Sequence, residues 1–315
     1  GLGIAVIVDL VLNHGCSKRN ELWEFDGYSP GNNGGIYFDN GQDTPWGKKF
    51  AFETRGVQRY ITDATLMWAA EYNVDGIRFD SAHNIPDWLC RNIIRELKTK
   101  YPSVFLICEV TPENPYYVND IGFDSCWIHA AHFDVRHLLH NFDGSKLDMF
   151  KQLLGMFGWP RSTAGVRSVM GSHDQVGDRK NGHEDNGSHR YFVSRVGGRG
   201  NWHARAKCRM WYAVMAFSRG MPMVFQGTET SQEGFWHVDR PMNWHLVSDE
   251  FGAQMISCVR AANILRVGAD ALTHDDLKIC HEDCKNGVIA FARSHGDSHF
   301  WIVIHMGEGQ WDQPD

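Results

Sequence analysis

The chain has 315 residues, of which 43% are hydrophobic and 12% aromatic, enough to bury one large domain and part of a second. Its formal net charge of −7 excludes a broad basic surface, so we expect a neutral substrate and no nucleic-acid partner. No apolar run reaches the ~18 residues of a membrane span, and no membrane partner is expected.

Short apolar runs ending in polar residues recur along the chain and predict buried parallel strands. The first covers residues 4–9, and the later runs cover 74–80, 104–109, 123–128, 166–170 and 222–226. Helical or loop segments separate these runs, which indicates an α/β sheet. Two of the predicted helices are one that Asp87 caps at its N-terminus and one at about 203–219.

Near residue 285 the pattern changes to two β-type runs, 288–292 and 300–304. We therefore place a barrel domain at 1–270, with a short loop insertion at about 13–50, and the start of a β domain at 271–315. The segment Cys280-His-Glu-Asp-Cys284 is predicted to form a hairpin turn, with a metal site as the weaker alternative. Most of the eight cysteines lie in apolar or helical segments, which favours free buried thiols over disulfides.

Polar residues follow the predicted strands at their C-terminal ends. In a (β/α) barrel those ends lie on one face, where active sites are built. The residues concerned are Asp9, Asn13, His14, Arg78, Asp80, Glu109, His173 and Asp174.

The charge pair Arg78 and Asp80 lies two residues apart, on the same side of one strand. We expect Arg78 to keep Asp80 ionised, and the apolar approach to Glu109 to raise the pKa of that carboxyl. Two carboxyls with separated pKa values, about 5–5.5 Å apart, suit retaining glycoside hydrolysis or transfer. The alternative is that each is an ordinary charge at a strand end.

Four segments, Asp9-Leu-Val-Leu-Asn-His14, Gly76-Ile-Arg-Phe-Asp80, Glu109 after its strand and Ser172-His-Asp174, resemble in order the signature regions of the α-amylase superfamily, glycoside hydrolase family 13. This resemblance implies a TIM-type (β/α)8 barrel that is incomplete at its N-terminus, starting near strand 3, followed by a C-terminal β-sandwich. It also implies that Asp80 is the nucleophile, Glu109 the acid/base and Asp174 the carboxylate that grips the distorted sugar. Supporting and substrate-binding roles fall on Arg78, His14, His173, Asp9, His83 and Trp46, and the resemblance implies that Asp9 and Asn13 have structural roles beside the catalytic residues.

The stretches between these motifs resemble α-1,4-glucan branching enzymes, particularly those of plants and algae. Examples are Leu22-Trp-Glu-Phe-Asp-Gly27, Gly171-Ser-His-Asp-Gln-Val-Gly177 and Arg240-Pro-Met-Asn-Trp244. The expected partner is an α-glucan such as amylose, amylopectin or glycogen, and the compartment, plastid or cytosol, stays open. Relative to the family pattern the first two strands, a carbohydrate-binding module and a sugar-stacking aromatic are absent, which is the pattern of a fragment.

Two rival functions remain. Asn13-His14 resembles the amylase form of the first motif, which favours a hydrolase or a trehalose-releasing relative; no cofactor is expected, although this form allows calcium with Asn13 as a ligand. A catalytically silent glucan-binding scaffold is the second rival. Seven tryptophans in loops or at helix starts are candidate sugar platforms: Trp23, Trp46, Trp88, Trp159, Trp202, Trp236 and Trp244. The 178–203 loop is predicted either to cover substrate or to be a solvated excursion, and His183 and His189 in it are weak metal candidates.

Overall fold

The computed structural model describes residues 2–16, 20–27, 33–38, 42–138, 144–177 and 189–306. It divides into two compact units, residues 1–127 and 128–315. The domain boundary predicted at 270/271 stays a prediction, and residues 178–188 of the predicted covering loop, with His183 among them, lie outside the described residues. Within the described ranges, no helix is long and apolar enough to cross a membrane.

The first unit alternates strands and helices as the apolar runs predict. Its elements are β1 (Ile7–Leu10), β2 (His14–Cys16), β3 (Asp43–Thr44), β4 (Gly47–Lys49), α1 (Arg55–Ala70), β5 (Gly76–Phe79), α2 (Asp87–Lys100), β6 (Phe105–Glu109) and β7 (Ser125–Ile128). Strands β1, β5, β6 and β7 pair in parallel in that order. The predicted loop insertion instead contains a small antiparallel sheet in the order β2-β4-β3.

Strand β5 is buried along its whole length, which explains why its sequence is a continuous apolar run apart from Arg78. Its first residue, Gly76, has no room for a side chain, because a Cβ there would lie 2.7 Å from the carbonyl oxygen of Phe105 on the neighbouring strand. The glycine therefore lets β5 and β6 approach closely at the N-terminal end of β5, opposite to the end that carries Asp80.

Helix α2 buries the predicted apolar stripe, which includes Leu89, Ile93 and Leu97. The predicted N-cap is wrong by one position, since Pro86 takes the cap position and Asp87 is the first helical residue, with no side-chain capping bond. In the first turn, the negative charge of Asp87 still stabilises α2 by interacting with the positive end of the helix dipole.

The second unit carries further barrel elements and an antiparallel sheet. Its elements are α3 (Ala130–Leu138), α4 (Gly144–Leu154), β8 (Gly165–Arg167), α5 (His173–Val176), α6 (Phe192–Arg195), α7 (Trp202–Phe217), β9 (Met221–Pro222), α8 (Glu250–Gly268), α9 (Asp270–Thr273), β10 (Lys278–Asp283), β11 (Val288–His295) and β12 (Ser298–His305). Strands β8 and β9 are parallel, whereas β10, β11 and β12 form an antiparallel sheet.

Two expectations for this unit are wrong. The predicted hairpin turn at 280–284 is mostly strand β10, and the turn follows at 284–287. His173 and Asp174 do not lie at a strand end, because β8 ends at Arg167 and both residues belong to the short helix α5. Ser172 caps α5 in a capping box with Gln175, a pattern that places a helix start at this point.

Arg293 of β11 is fully buried and donates to backbone carbonyls. Its Nε reaches the oxygen of Asp276 at 2.8 Å, and its Nη1 and Nη2 reach those of Phe217 and His274 at 2.6 and 2.5 Å. The sheet is thereby tied to the last residue of α7. Burial, together with nearby arginine charges, lowers the pKa of Arg293 to about 10.

Replacing Arg293 with Ala should destabilise the protein, because three carbonyls lose charged donors in the interior. We expect a loss on the order of 3 kcal/mol in the free energy of unfolding, measured by the urea midpoint and slope. Arg260→Ala, at an exposed position of α8, is the control and should change stability by less than about 0.5 kcal/mol. Equal effects of the two substitutions would contradict this account of Arg293.

Candidate active site

Strand register brings the predicted site residues of the first unit together. Asp9 on β1 lies opposite Arg78 on β5, and Phe79 lies opposite Cys108 on β6. Continuing that register by one residue sets Asp80 beside Glu109, each at the C-terminal end of its strand. Four charged side chains from three adjacent parallel strands therefore meet at one edge.

The guanidinium of Arg78 is the centre of this group. Its Nη1 lies 2.5 Å from Asp9 Oδ1 and 3.2 Å from Asp80 Oδ1, while its Nη2 lies 2.5 Å from Glu109 Oε2. The Arg78 side chain is only 6% exposed, against 24% for Asp80 and 15% for Glu109. A planar fork of donors suits this task, because one cation can orient several carboxylates at once.

An aromatic ring supports the other face of the guanidinium. The Cζ of Arg78 lies 4.2 Å from the ring centroid of Trp127 on β7, and Trp127 is the register partner of Glu109. Sequence reasoning missed Trp127; the signal for it is that the strand after Glu109 carries an aromatic residue at the level of the carboxylate. Stacking of this kind orients an arginine more firmly than a salt bridge alone.

The pKa values of Arg78 and Asp80 depend on burial as well as on their charged neighbours. Burial alone would lower the pKa of Arg78, but the negative charges of Glu109, Asp9 and Asp80 outweigh burial and raise it. Burial raises the pKa of Asp80; Arg78 opposes this rise and the neighbouring Glu109 adds to it. Arg78 thus lowers the pKa of Asp80 as expected, but burial outweighs this effect, and the shortest contacts of Arg78 are to Asp9 and Glu109.

Glu109 is also not isolated among apolar groups, as its preceding residues suggested. Its Oε2 accepts from Arg78 Nη2 and from the backbone N–H of Ser81 at 3.0 Å. Ser81 was not singled out from the sequence, because only the folded turn after Asp80 aims its N–H at Glu109.

His14 and Trp46 lie on the small sheet and its turn, and their ring centroids are 6.0 Å apart. Burial lowers the pKa of His14 against the raising effect of Asp80, so His14 is neutral near pH 7. Trp46 is 60% exposed and presents an indole to solvent, as a sugar platform requires.

His83 lines a cavity of about 440 Å³ in the first unit. The walls of this cavity also include Lys49, Phe50, Glu53 and Asp87. Burial lowers the pKa of His83, although Glu109 raises it, and His83 Nδ1 accepts from the backbone N–H of Thr111 at 3.4 Å. The His83 ring thus connects the carboxylate group to the cavity.

The remaining predicted residues lie in the second unit. On α5, His173 Nε2 lies 3.4 Å from Asp174 Oδ1. Their side chains are 40% and 49% exposed, so both are accessible to a ligand. Of the seven candidate tryptophan platforms, Trp159 is buried and is ruled out as a platform, whereas Trp202 and Trp244 are 62% and 70% exposed.

Calcium at Asn13 does not fit the contacts of that side chain. Its amide nitrogen, which cannot bind a cation, faces Asp80 O at 2.7 Å, and its amide oxygen contacts His14 Nδ1. Among the described residues, no group of three or more His, Cys, Asp or Glu side chains is arranged to hold a metal ion. Calcium needs oxygen ligands, and the amide oxygen of Asn13 is already engaged with His14 Nδ1.

Comparison with known proteins finds relatives of several named activities, all at low identity. No family model matches the chain. The 1,4-alpha-glucan branching enzyme GlgB of Salinibacter ruber is 23% identical over 99% of the chain and 55% of its own length. The malto-oligosyltrehalose trehalohydrolase of Saccharolobus solfataricus is 27% identical over 74% of the chain and 43% of its own length. The chain thus spans about half the length of these curated relatives.

Among solved structures, an α-amylase of Anoxybacillus superimposes with a TM-score of 0.75 at 21% identity, covering 96% of the chain and 65% of the amylase. That likeness confirms the predicted fold class, an incomplete (β/α) barrel followed by the start of an all-β domain. The relative named as a branching enzyme extends over 99% of the chain. In sequence and in fold the chain is therefore similar to proteins of the α-amylase superfamily, as its four motifs predict.

Proposed function

We propose that the protein is a retaining α-glucan glycosyltransferase that cleaves α-1,4 links and forms α-1,6 branches. The observation that carries the chemistry is the grip of one buried guanidinium, Arg78, on Asp80 and Glu109 at neighbouring strand ends. Retaining glycoside chemistry needs two carboxyls that are held close together and differ in protonation.

In the first half-reaction Glu109 donates a proton to the glycosidic oxygen as the bond from that oxygen to the anomeric carbon breaks. The ionised Asp80 carboxylate attacks the anomeric carbon from the opposite face and forms a glycosyl ester. The non-reducing part of the glucan stays on the protein while the other part leaves. Asp174 would grip the hydroxyls of the distorted sugar, a role that rests on the family resemblance.

In the second half-reaction Glu109 acts as the base. It removes the proton of the incoming hydroxyl, whose oxygen attacks the anomeric carbon and releases Asp80. A 6-hydroxyl of another glucan chain gives an α-1,6 branch, and water gives hydrolysis. The outcome depends on whether the site holds a sugar hydroxyl and excludes water.

Arg78 contacts both Asp80 and Glu109, so a proton can reside on either carboxyl while the other one stays ionised beside the guanidinium. In the free protein Glu109 is paired with Arg78, and the pKa of Asp80 is raised chiefly by burial. When a sugar occupies the site, the proton must reside on Glu109 and Asp80 must be ionised. Arg78 contacts both carboxyls, so it stabilises the negative charge on whichever of the two is ionised.

The cavity beside His83 supports an acceptor role for the first unit. Its lining combines the aromatic residues Phe50 and Phe52 with the polar residues Lys49 and Glu53, a mixture that is typical of sugar-binding sites. The relative named as a branching enzyme also matches 99% of the chain. These two observations favour transfer to a glucan acceptor.

A hydrolase of α-1,4-glucans is the second candidate. The solved structure compared above is an α-amylase, and the other relative is named as a trehalohydrolase. Asn13-His14 has the amylase form of the first motif. Cleavage chemistry would be unchanged, and only the acceptor would differ.

Incubation of the full-length protein with linear amylose, followed by proton NMR, separates these two functions. We expect α-1,6 anomeric signals to grow without a matching rise in reducing ends, because transfer conserves the number of glycosidic bonds. Reducing ends that rise without α-1,6 signals would establish hydrolysis and contradict the branching proposal. Absence of both signals would contradict an enzymatic function and favour the scaffold alternative.

Asp80→Ala tests the nucleophile. It should lower turnover of glucan by about 10⁴-fold or more, because no other group forms the glycosyl ester. Glucan binding, measured by affinity electrophoresis, should persist. As the control, Asp63→Ala, on an exposed face of α1, should leave turnover within about twofold of wild type. Equal activity of wild type and Asp80→Ala would contradict the assignment of Asp80 as the nucleophile.

The acidic limb of the pH profile reports the ionisation of Asp80. Because the pKa of Asp80 is raised above its ordinary value of 3.8, kcat/KM should begin to fall at a pH above that value as the pH decreases. Arg78 lowers the pKa of Asp80, so Arg78→Gln should move this limb to higher pH.

Arg78→Lys is the matched variant for that measurement, because it keeps the positive charge while it loses the fork of donors. Its acidic limb should stay nearer to that of wild type than the limb of Arg78→Gln, although both variants lose activity. An acidic limb of Arg78→Gln at or below the wild-type position would contradict the role of Arg78.

A further inference from the structure

The carboxamide of Asn13 contacts three oxygen atoms of the turn that follows β5. Its Nδ2 lies 2.7 Å from Asp80 O, 3.2 Å from Asp80 Oδ2 and 3.4 Å from Ser81 O. Asn13 is 1% exposed, so water does not compete for these contacts. A buried donor satisfied by three acceptors holds its partners in a defined arrangement.

The orientation of this amide follows from its neighbours. Two of the facing atoms are backbone carbonyl oxygens, which only accept hydrogen bonds, so the amide nitrogen must face them. The amide oxygen then contacts His14 Nδ1. Because an amide oxygen accepts, Nδ1 of the neutral His14 carries the hydrogen, and the neighbouring histidine fixes Asn13 from its other side.

The turn held by Asn13 has a strained backbone. Ser81 has a φ of 43°, a left-handed conformation that non-glycine residues rarely adopt without support. In this conformation the N–H of Ser81 donates to Glu109 Oε2 at 3.0 Å. One turn therefore carries the Asp80 carboxylate and also a donor to the Glu109 carboxylate.

We propose that Asn13 is a positioning residue that sets the orientation of the Asp80 carboxylate relative to Glu109 through the Asp80–Ser81 turn, and that it does not serve as a cation ligand. The catalytic part of this inference rests on the proposed function. Asn13 is buried and its amide nitrogen contacts Asp80 and Ser81, so it acts through these two residues.

Hydrogen exchange measured by mass spectrometry tests the positioning without an activity assay. Asn13→Asp keeps the size of the side chain but removes the donor and places a carboxylate against three oxygens. In this variant we expect the amides of residues 80–84 to exchange about tenfold faster or more, while helix α2 stays protected as in wild type.

Asn20→Asp is the matched control, because it adds the same charge in the same segment. Asn20 uses its Oδ1 to accept from the N–H of Leu22, and a carboxylate keeps that bond. Exchange in residues 80–84 of Asn20→Asp should equal that of wild type. An exchange rate in Asn13→Asp within about twofold of this control would overturn the proposal.

Kinetics with and without calcium test the catalytic part. For Asn13→Asp we expect kcat to fall about tenfold or more with KM little changed, because the interaction lost acts on the reacting groups rather than on ground-state binding. Millimolar CaCl₂ and a calcium chelator should not change this result. A carboxylate at position 13 would be a better calcium ligand than the amide, so recovery of Asn13→Asp by calcium would overturn the proposal and assign a cation site.

The two proposals fail separately. If wild type has no activity on glucan, the proposed function fails, while hydrogen exchange still decides whether Asn13 holds the turn. If wild type is active and Asn13→Asp keeps its kcat, the positioning role fails and the function stands. Should Asn13→Asp lose its fold by circular dichroism, Asn13→Ser, whose hydroxyl can donate to one oxygen, provides the same measurements with smaller expected changes.

Discussion

A buried arginine between three carboxylates is the constraint on which the candidate site depends. Arg78 contacts Asp9 and Glu109 at 2.5 Å and Asp80 at 3.2 Å. A guanidinium that is 6% exposed would be costly to bury alone, and each carboxylate would repel the others without it. The cluster is stable only as a unit, so the parallel register of β1, β5 and β6 and the Trp127 ring under the guanidinium have to be maintained together.

The same arrangement explains how an apolar strand can carry chemistry to its end. Gly76 lets β5 approach β6 closely, and the strand interior then fixes Arg78 with little freedom. The carboxyls of Asp80 and Glu109, at the adjacent strand ends, both contact the Arg78 guanidinium. Asn13 donates to Asp80, and the backbone N–H of Ser81 donates to Glu109. Both carboxyls therefore have fixed positions before any sugar binds, as electrostatic preorganisation requires.

The apolar runs predicted which segments become parallel strands, because burial on both faces leaves a composition that sequence displays directly. The charged residues of the candidate site were also predictable, since polar side chains at strand ends are conspicuous, whereas Trp127 and Ser81 were not. The contacts of the charged residues were not predictable: Arg78 was expected to serve Asp80, yet it lies closer to Asp9 and Glu109. Such preferences depend on side-chain geometry across strands. Asp174 was misplaced at a strand end because strand β8 is shorter than its apolar run, and the capping box that starts α5 was not recognised.

The central claim is that Asp80 forms a covalent bond to the sugar while Glu109 supplies the proton. Mass spectrometry of Glu109→Gln treated with an α-maltosyl fluoride tests it directly, because fluoride leaves the anomeric carbon with little need of an acid and the glycosyl ester then accumulates. After acid quench and digestion, the account predicts a maltosyl adduct on the peptide that contains Asp80. An adduct on another carboxylate, or fluoride release by wild type with no adduct in Glu109→Gln, would contradict it.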